Sequence, residues 1–291
     1  MVILSASRSQ PLVRPIHDLL LMATDSRAET VVNRLAHRYG DRGFPEHNID
    51  GGQNAVTIDD DESIFWDQTG GSQDAFVCLV RTILSQNTSD KASQPAHDEL
   101  MSTYGGDDID LAESLASAEQ SILAETISGA GLYNQKSETI IDTAAWVLEE
   151  FGSAAAFDTF VKDEAPSTVR DTLLSVRGVG PKTADCVLLF AGGRGGVFPV
   201  DTHVHRIYRR MGIAPPDADH EAVRAVLERD VPAAKCGFGH TASIQFGREY
   251  CTARTPACLE DPDACPMGDI CEQVGVYPET GAVVDPSETA D

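Results

Sequence analysis

The chain of 291 residues is long enough to bury one large core or two smaller ones, and it contains no apolar run of the length that crosses a bilayer. Its 46 acidic residues outnumber 22 Lys and Arg residues, and the resulting net charge of -24 argues against a polyanionic partner in dilute salt. Because the acids are spread along nearly the whole chain, the pattern is typical of a halophile's surface. In molar salt the Debye length falls to about 3 Å, so only a local cationic footprint would matter to DNA. The charge therefore leaves open both an acidic protein that never meets DNA and a salt-adapted protein that binds it.

Residues 1–23 differ in charge from the rest of the chain. This segment contains two basic residues, Arg8 and Arg14, and one acidic residue, Asp18. These charges interrupt the apolar stretch that a targeting segment needs. We therefore predict a disordered extension followed by a soluble, untargeted protein, which we expect to lie in the cytoplasm.

Helical periodicity is found at 28–39 and dominates 74–191. Residues 28–39 predict an amphipathic helix, with Asp25 and Ser26 as start signals, and the polar, Gly-rich stretch 40–71 predicts a loop. Period-2 alternation is scarce, so we predict an all-α fold. Between 74 and 191, helices are expected at 75–86, 91–105, 111–118, 119–131 and 136–152.

A helix, a tight turn and a second helix are predicted within about 168–191. Gly178 and Gly180 allow backbone conformations and close approaches that a Cβ would hinder, and Pro181 suits the first position of the following helix. Backbone N–H groups at such a turn and helix start would face outward and seat a phosphate. The alternative is an ordinary glycine turn between two packed helices.

Two residues near this turn have chemical potential. Lys182 lies just inside the second helix, where the positive helix end and the nearby Arg177 and Arg194 would favour the neutral amine of a nucleophile. Asp201 precedes a run of residues in which apolar side chains recur at helical spacing. The simpler alternatives are a lysine that touches phosphate and an aspartate that caps a helix.

Four of the seven cysteines crowd near the C-terminal end: Cys251, Cys258, Cys265 and Cys271. In a chain without a secretion signal, such a group indicates metal ligands rather than disulfides. Four thiolates bind either a tetrahedral zinc ion or a [4Fe-4S] cluster, and spacing alone separates these poorly. The other three are predicted to be small core residues: Cys78, Cys186 and Cys236.

The pattern LxxxxGVGxKTAxxVL followed by VDTHVxR, within 173–206, resembles the signature of the endonuclease III family in the helix-hairpin-helix glycosylase superfamily. Three further blocks resemble family segments in the same order. They are ILSQNTSDKA at 83–92, ISGAGLYNQKSETI at 127–140 and GREYCTARTPAC at 247–258. The resemblance spans about 74–271.

This resemblance implies an all-α protein of two lobes with DNA bound in the cleft between them. A six-helix barrel at 73–197 would contain the hairpin. The second lobe would combine an N-terminal helix and insertion at 24–72 with a cluster region at 198–277, and 278–291 would form an acidic tail. We expect a monomer whose partner is double-stranded DNA containing damaged bases, and no membrane association.

The resemblance places the family's nucleophilic lysine on Lys182 and its catalytic aspartate on Asp201. It therefore implies a base excision repair DNA glycosylase with AP-lyase activity, which flips a damaged base out, displaces it through a Schiff base and cleaves the strand on the 3′ side by β-elimination. Thr82 stands where adenine-specific relatives carry Glu, so oxidised pyrimidines are the expected substrates. The candidate DNA contacts are Gln86, Asn87, Gly178, Val179, Gly180, Thr183 and Arg254.

The resemblance also favours a [4Fe-4S] cluster over zinc, with a structural role. The family's usual spacing has two residues between the second and third cysteines, whereas LEDPDA separates Cys258 from Cys265 here. Two other functions stay open, a monofunctional glycosylase for uracil or another modified base and a non-catalytic DNA-binding protein. The coexistence of Lys182 and Asp201 argues against both.

Overall fold

The computed structural model describes residues 25–40 and 74–289. Over these residues the chain forms thirteen α-helices and one two-stranded antiparallel sheet, so the all-α prediction is confirmed. The helices are α1 (Arg27–Tyr39), α2 (Ala75–Ser85), α3 (Asp90–Tyr104), α4 (Leu111–Ala116), α5 (Gln120–Thr126), α6 (Tyr133–Phe151), α7 (Ala154–Asp163), α8 (Pro166–Leu174), α9 (Pro181–Cys186), α10 (Thr202–Arg210), α11 (His220–Asp230), α12 (Cys236–Glu249) and α13 (Ala257–Glu260). The strands are β1 (Val276–Tyr277) and β2 (Ala282–Val283), and a π-helical turn continues α9 over Val187–Ala191.

Capping side chains fix where the first two helices begin. Ser26 accepts a hydrogen bond from the backbone N–H of Glu29 at 3.0 Å, as its predicted role as a start signal requires. Asp74 accepts from the backbone N–H groups of Phe76 and Val77, both at 2.9 Å. These side chains satisfy backbone donors that have no partner within the helix, which sets the helix boundary.

Helix α12 lies beyond the region where helical periodicity was predicted. It is buried along much of its length, so its sequence shows no clean apolar stripe. A Cβ at Gly239 would come within 2.9 Å of the Phe198 ring and 3.0 Å of Val32 on α1. The glycine therefore permits close packing between α1 and α12, a role that only the tertiary contacts reveal.

Two hydrophobic cores divide the described chain. The first lies within 75–197 and includes Phe76 and Phe157, and the second joins α1 to 198–276 and includes Phe246. Helix α1 reaches the second core by packing on α11 and α12. The division into lobes at the predicted bounds stays a prediction.

The predicted acidic tail at 278–291 is not a separate tail over its described part. Its residues complete the β1–β2 hairpin, and the N–H of Val284 donates to the carbonyl of Gly275 at 2.9 Å. Asp285 then forms an ion pair with Arg209 at 2.6 Å, and Pro286 is buried. Strand pairing and this ion pair hold the segment on the second half, although its acidic composition alone indicated a solvated tail.

Two other predicted segments lie outside the described residues. These are the disordered extension at 1–23 and, apart from Gly40, the loop at 40–71. Within the described ranges, every helix is too short or too polar to span a bilayer.

Candidate active site

The predicted hairpin is formed by α8, a turn and α9. The N–H of Val179 donates to the carbonyl of Val176 at 3.0 Å and closes the turn. Gly178 has a φ of +88°, and a Cβ there would come within 2.6 Å of Cγ2 of Thr139 on α6. Both the backbone conformation and the close approach of α6 therefore require glycine at 178.

Gly180 differs from Gly178, although the sequence presents the two alike. It caps the start of α9 with a φ of -96°, which any residue adopts. A Cβ built on it would meet no protein atom within 4 Å. The described fold does not require glycine here, so the missing side chain leaves room for an approaching group outside the protein.

The end of α2 holds this hairpin in place. The side-chain amide of Gln86 donates to the carbonyl of Gly178 and to the hydroxyl of Thr183, both at 3.1 Å. Thr183 is only 3% exposed, and Val179, at 6% exposed, packs in the first core. Val179 and Thr183 were predicted to contact DNA, but their side chains are buried within the protein. Any contact through these two residues would have to use their backbone.

Lys182 and Asp201 each lie at the start of a helix, one on either side of the boundary between the two cores. Burial raises the pKa of the Cys186 thiol to about 11, and Lys182, one turn earlier in α9, acts in the opposite direction. Asp201 caps α10 by accepting from the N–H of Val204 at 2.8 Å, as the simpler alternative predicted. The charges of Lys182 and Asp201 both act on the pKa of Cys186 and on that of His240, so each residue lies within electrostatic range of these two buried groups.

The two arginines expected beside Lys182 are engaged elsewhere. Arg177 forms ion pairs with Glu138 at 3.4 Å and Asp142 at 3.6 Å, both on α6. Arg194 donates to a main-chain carbonyl at Glu164 at 2.9 Å. Each arginine thus has acceptors within its own part of the fold, and its effect on the charge of Lys182 stays a prediction.

His240, on α12, is a site residue that sequence reasoning missed. It is fully buried, and its Nδ1 lies 2.8 Å from the carbonyl of Pro199, so Nδ1 carries the proton. Burial lowers the pKa of His240 to about 4, which keeps the ring neutral. Its Nε2 is then a buried acceptor without a hydrogen-bond partner among the described residues. A lone histidine gives no pattern from which this position could have been predicted.

Two neighbouring loops carry non-glycine residues in the left-handed backbone region. Asn87 follows α2, Leu132 precedes α6, and each has a φ of 51°. This conformation is uncommon for a leucine and tends to occur where function demands it. Leu132 is also 57% exposed, which is high for a large apolar side chain. The positive φ, which no sequence pattern shows, distinguishes Leu132 from an ordinary surface residue.

A buried lysine joins these two loops. Lys136 is 3% exposed, and its Nζ donates to the carbonyls of Leu84 and Ala130 at 2.6 and 2.8 Å and to the hydroxyl of Thr88 at 2.6 Å. Burial lowers the pKa of Lys136 to about 8. Its acceptors lie on the segments that carry Asn87 and Leu132, so Lys136 fixes the two loops against each other.

The four C-terminal cysteines line one small cavity in the second half: Cys251, Cys258, Cys265 and Cys271. Arg210 donates to the Cys251 sulfur at 3.7 Å, and the N–H of Gln273 donates to the Cys271 sulfur at 3.4 Å. Burial raises the pKa of the thiols of Cys258, Cys265 and Cys271. Among the described residues, no group of three His, Cys, Asp or Glu side chains is arranged to hold a single metal ion.

Arginine side chains also hold the loop between the first two of these cysteines. Arg210 donates to the carbonyls of Thr252 at 2.5 Å and Ala253 at 2.7 Å, and Arg206 donates to that of Cys251 at 3.0 Å. The next residue, Arg254, is exposed, as its predicted contact with a phosphate requires.

The chain is similar to known DNA repair proteins in sequence and in fold. Residues 80–233 match the family model of the HhH-GPD superfamily of base excision DNA repair proteins. Endonuclease III of Thermotoga maritima is 31% identical over 202 residues, which cover 68% of this chain and 83% of that protein. Endonuclease III of Sulfolobus acidocaldarius is 29% identical over 215 residues, covering 74% and 89%.

The fold is similar to that of an endonuclease III solved as a trapped covalent intermediate with DNA. The TM-score is 0.62 at 22% identity, and the match covers 87% of this chain and 97% of that one. The family model spans more than half of the chain, and the relatives cover two thirds of it or more. The chain therefore belongs to the endonuclease III family, within the HhH-GPD superfamily of base excision DNA repair proteins.

Proposed function

We propose that this DNA glycosylase is bifunctional: it excises oxidised pyrimidines from double-stranded DNA through a Schiff base on Lys182 and then cleaves the strand at the abasic site. The observation that carries the proposal is that Lys182 on α9 and Asp201 at the start of α10 act electrostatically on the same two buried groups, Cys186 and His240. A glycosylase that used water alone would need the carboxylate but not an amine beside it.

The two residues divide the chemistry. The Nζ of Lys182 forms a bond to C1′ while the bond from C1′ to the base breaks, and Asp201 stabilises the positive charge that develops on the sugar. Ring opening gives a protonated Schiff base, which acidifies the 2′ position. Loss of a 2′ proton then breaks the C3′–O bond by β-elimination, and water hydrolyses the Schiff base to free Lys182.

Three exposed features are suited to holding a flipped nucleotide. The turn at Gly178 and Gly180 offers its backbone to a phosphate without a side chain in the way. Asn87 is exposed beside the turn, and Leu132 is an exposed apolar side chain of the kind that wedges between base steps. Arg254, in the second half of the protein, would contact the phosphate backbone of the DNA. One similar fold, an endonuclease III, was solved bound to DNA, which supports this assignment.

Most arginines near these surfaces are already occupied by carboxylates or carbonyls. Arg177, for example, is 78% exposed yet pairs with Glu138 and Asp142. In molar salt the Debye length is about 3 Å, so the charges of exposed ion pairs and of distant acidic residues have little effect on DNA. The positive charges closest to the DNA, Lys182 and Arg254, then govern binding. We therefore expect DNA binding to tolerate far more salt than it does in a basic glycosylase.

The four cysteines are proposed to hold a [4Fe-4S] cluster. The four cysteines line one cavity, and a [4Fe-4S] cluster takes four thiolate ligands, one for each iron. Donors from Arg210 and Gln273 would stabilise ligand sulfurs. The cluster would supply structural cross-linking of the loop that carries Arg254.

The proposed preference for oxidised pyrimidines follows from the residue at position 82. Thr82 occupies the position at which adenine-specific relatives carry Glu, and it is fully buried, with its hydroxyl donating to the carbonyl of Cys78 at 2.8 Å. No acidic group can act from that position. A pyrimidine substrate is consistent with this and with the endonuclease III relatives.

Borohydride trapping tests the proposal. Wild-type protein in molar KCl should form a covalent adduct both with a thymine-glycol duplex and with a duplex that holds a preformed abasic site. Lys182→Gln should form none with either, whereas Lys91→Gln, at an exposed lysine on α3, should trap as the wild type does. Base release without an adduct would indicate a monofunctional enzyme, and full trapping by Lys182→Gln would refute the assigned nucleophile.

A further inference from the structure

A buried carboxylate lies three residues after Lys182 on the same helix. The side chain of Asp185 is only 1% exposed, and it forms ion pairs with the Nε of Arg170 at 2.7 Å and the Nε of Arg224 at 3.2 Å. Arg170 is on α8, which belongs to the first core, and Arg224 is on α11, which belongs to the second. Asp185 is therefore shared between the two halves of the molecule.

A second carboxylate continues the contacts toward Asp201. Arg224 Nη2 pairs with Oε1 of Glu228 at 2.9 Å, and the same oxygen accepts a hydrogen bond from the backbone N–H of Phe198 at 3.1 Å. Phe198 lies three residues before Asp201. A continuous series of contacts thus runs from α9, which carries Lys182, to the segment that carries Asp201.

The chemistry of these groups makes the connection directional. A charge taken out of water must be paired, and the Nε of Arg170 donates to Oδ1 of Asp185 at 2.7 Å, which orients that carboxylate. Arg224 adds an ion pair to Asp185, although its Nε has no hydrogen-bond partner among the described residues. Glu221 braces both arginines, at 2.6 Å from Arg170 and 3.6 Å from Arg224. Apolar packing alone would let α9 slide by a fraction of an ångström or rotate slightly about its axis. The ion pairs of Asp185 and Glu221 with the two arginines oppose such movement.

We propose that Asp185 is a positioning residue that sets Lys182 at its working distance from Asp201 by locking α9 to α11. It touches neither the DNA nor the reacting atoms, so it is not a catalytic residue. The inference rests on the proposed function, because it requires Lys182 to be the nucleophile. Partly buried ion pairs are screened less than surface ones, so the lock operates in molar salt, in which an exposed pair such as Arg229–Asp230 contributes little.

The titration behaviour agrees with a charge held by its partners. Burial raises the pKa of Asp185, while the hydrogen bond from Arg170 and the charge of Arg224 act in the opposite direction. Burial also raises the pKa of Glu228, again opposed by Arg224. Both carboxylates thus depend on the two guanidinium groups.

The test compares Asp185→Asn with wild type in borohydride trapping on a preformed abasic-site duplex, at saturating DNA and well below the melting temperature. We expect the first-order trapping rate to fall by about 10- to 100-fold while the Kd for DNA changes by less than about twofold, because sub-ångström misplacement of a nucleophile lowers the rate and not the affinity. Loss of the rate without loss of affinity is a result that general destabilisation does not produce.

Two comparisons separate positioning from stability. Asp285→Asn removes a carboxylate from the buried Arg209 within the second half alone, so it should lower the melting temperature without changing the trapping rate. Arg224→Lys, which keeps the charge, should retain more of the rate than Arg224→Gln does, and it provides a second route if Asp185→Asn fails to fold.

The outcomes are distinguishable. If wild-type protein forms no adduct, the proposed function fails and the positioning role fails with it. If wild type traps and Asp185→Asn traps at the same rate, or if Arg224→Gln matches Arg224→Lys, the positioning role alone is overturned.

Discussion

Different interactions stabilise the interior of each half of the molecule. In the first, aliphatic and aromatic side chains from α2 to α9 fill one continuous core. In the second, much of the C-terminal segment is held by arginines that bind main-chain carbonyls. Arg27 donates to Met211 at 2.7 Å and to Ile270 at 3.0 Å, and Arg210 donates to Thr252 at 2.5 Å.

This difference indicates how each half would fail. Apolar burial is non-directional and contributes about 25 cal/mol per Å² of apolar surface, so the first half should tolerate small shifts and need no added group. The segment around the four cysteines relies on directional hydrogen bonds and, by our proposal, on a cluster whose binding is coupled to folding. By the proposed mechanism the first half supplies the amine and the second the carboxylate, so we expect damage to either half to stop the chemistry in a different way.

The largest effect should come from removing a cluster ligand. Cys258→Ala should abolish the yellow-brown colour and the roughly four irons per chain that we expect of anaerobically purified protein, and should open the region 251–277 to proteases while the first core stays resistant. Cys236→Ala, at a buried cysteine away from the cavity, should keep its iron. Stoichiometric zinc without iron in protein made with ample iron would contradict the cluster assignment.

Removing the carboxylate of the second half should affect the reaction without affecting the fold. Asp201→Asn should slow base release by about 10²- to 10³-fold while DNA binding persists, because the partner of the developing sugar charge is lost. Asparagine caps helices as well as aspartate does, so α10 should stay intact. Asp219→Asn, which makes the same change at the cap of α11, is the control and should keep the wild-type rate. A wild-type rate in Asp201→Asn would leave Asp201 with a capping role only.

The two glycines of the hairpin should separate fold from binding within the first half. Gly178→Ala should lower the free energy of unfolding by about 1–3 kcal/mol, because alanine is strained at a positive φ and its Cβ meets Thr139. Gly180→Ala should leave thermal stability unchanged and weaken DNA binding by about tenfold, or about 1.4 kcal/mol. Equal stability loss in both variants would show that the open space at Gly180 has no bearing on DNA.

The smallest effect concerns the lysine buried between the two loops. Its pKa is lowered from 10.5 to about 8 in the folded chain, so between these values the unfolded chain binds more protons. The contribution of Lys136 to the free energy of unfolding should therefore rise as pH increases from about 8 to 10.5. Chemical denaturation across this range should give a steeper rise for wild type than for Lys136→Met. Parallel curves would mean that the amine is not desolvated.

Local signals in the sequence predicted much of the first half. There the glycines and proline around 178–181 located the hairpin, and in the second half helical spacing and the cap at Ser26 located α1. Helix α12 could not be predicted in the same way, because burial on several sides removes the apolar stripe. The hairpin between 276 and 283 was missed as well, since its strands are two residues long and its acidic surroundings indicate solvent.

For the site, the sequence by itself determined which residues have the chemistry: the amine at Lys182, the carboxylate at Asp201 and four neighbouring thiols. Periodicity, caps and motif spacing depend on residues a few positions apart, which is why a single sequence shows them. Only the tertiary structure decided which partners surround those groups. Gln86 meets Gly178 across 92 positions, and Arg27 meets Glu272 across 245. Such pairs are set by how whole helices pack, and no local pattern encodes that packing.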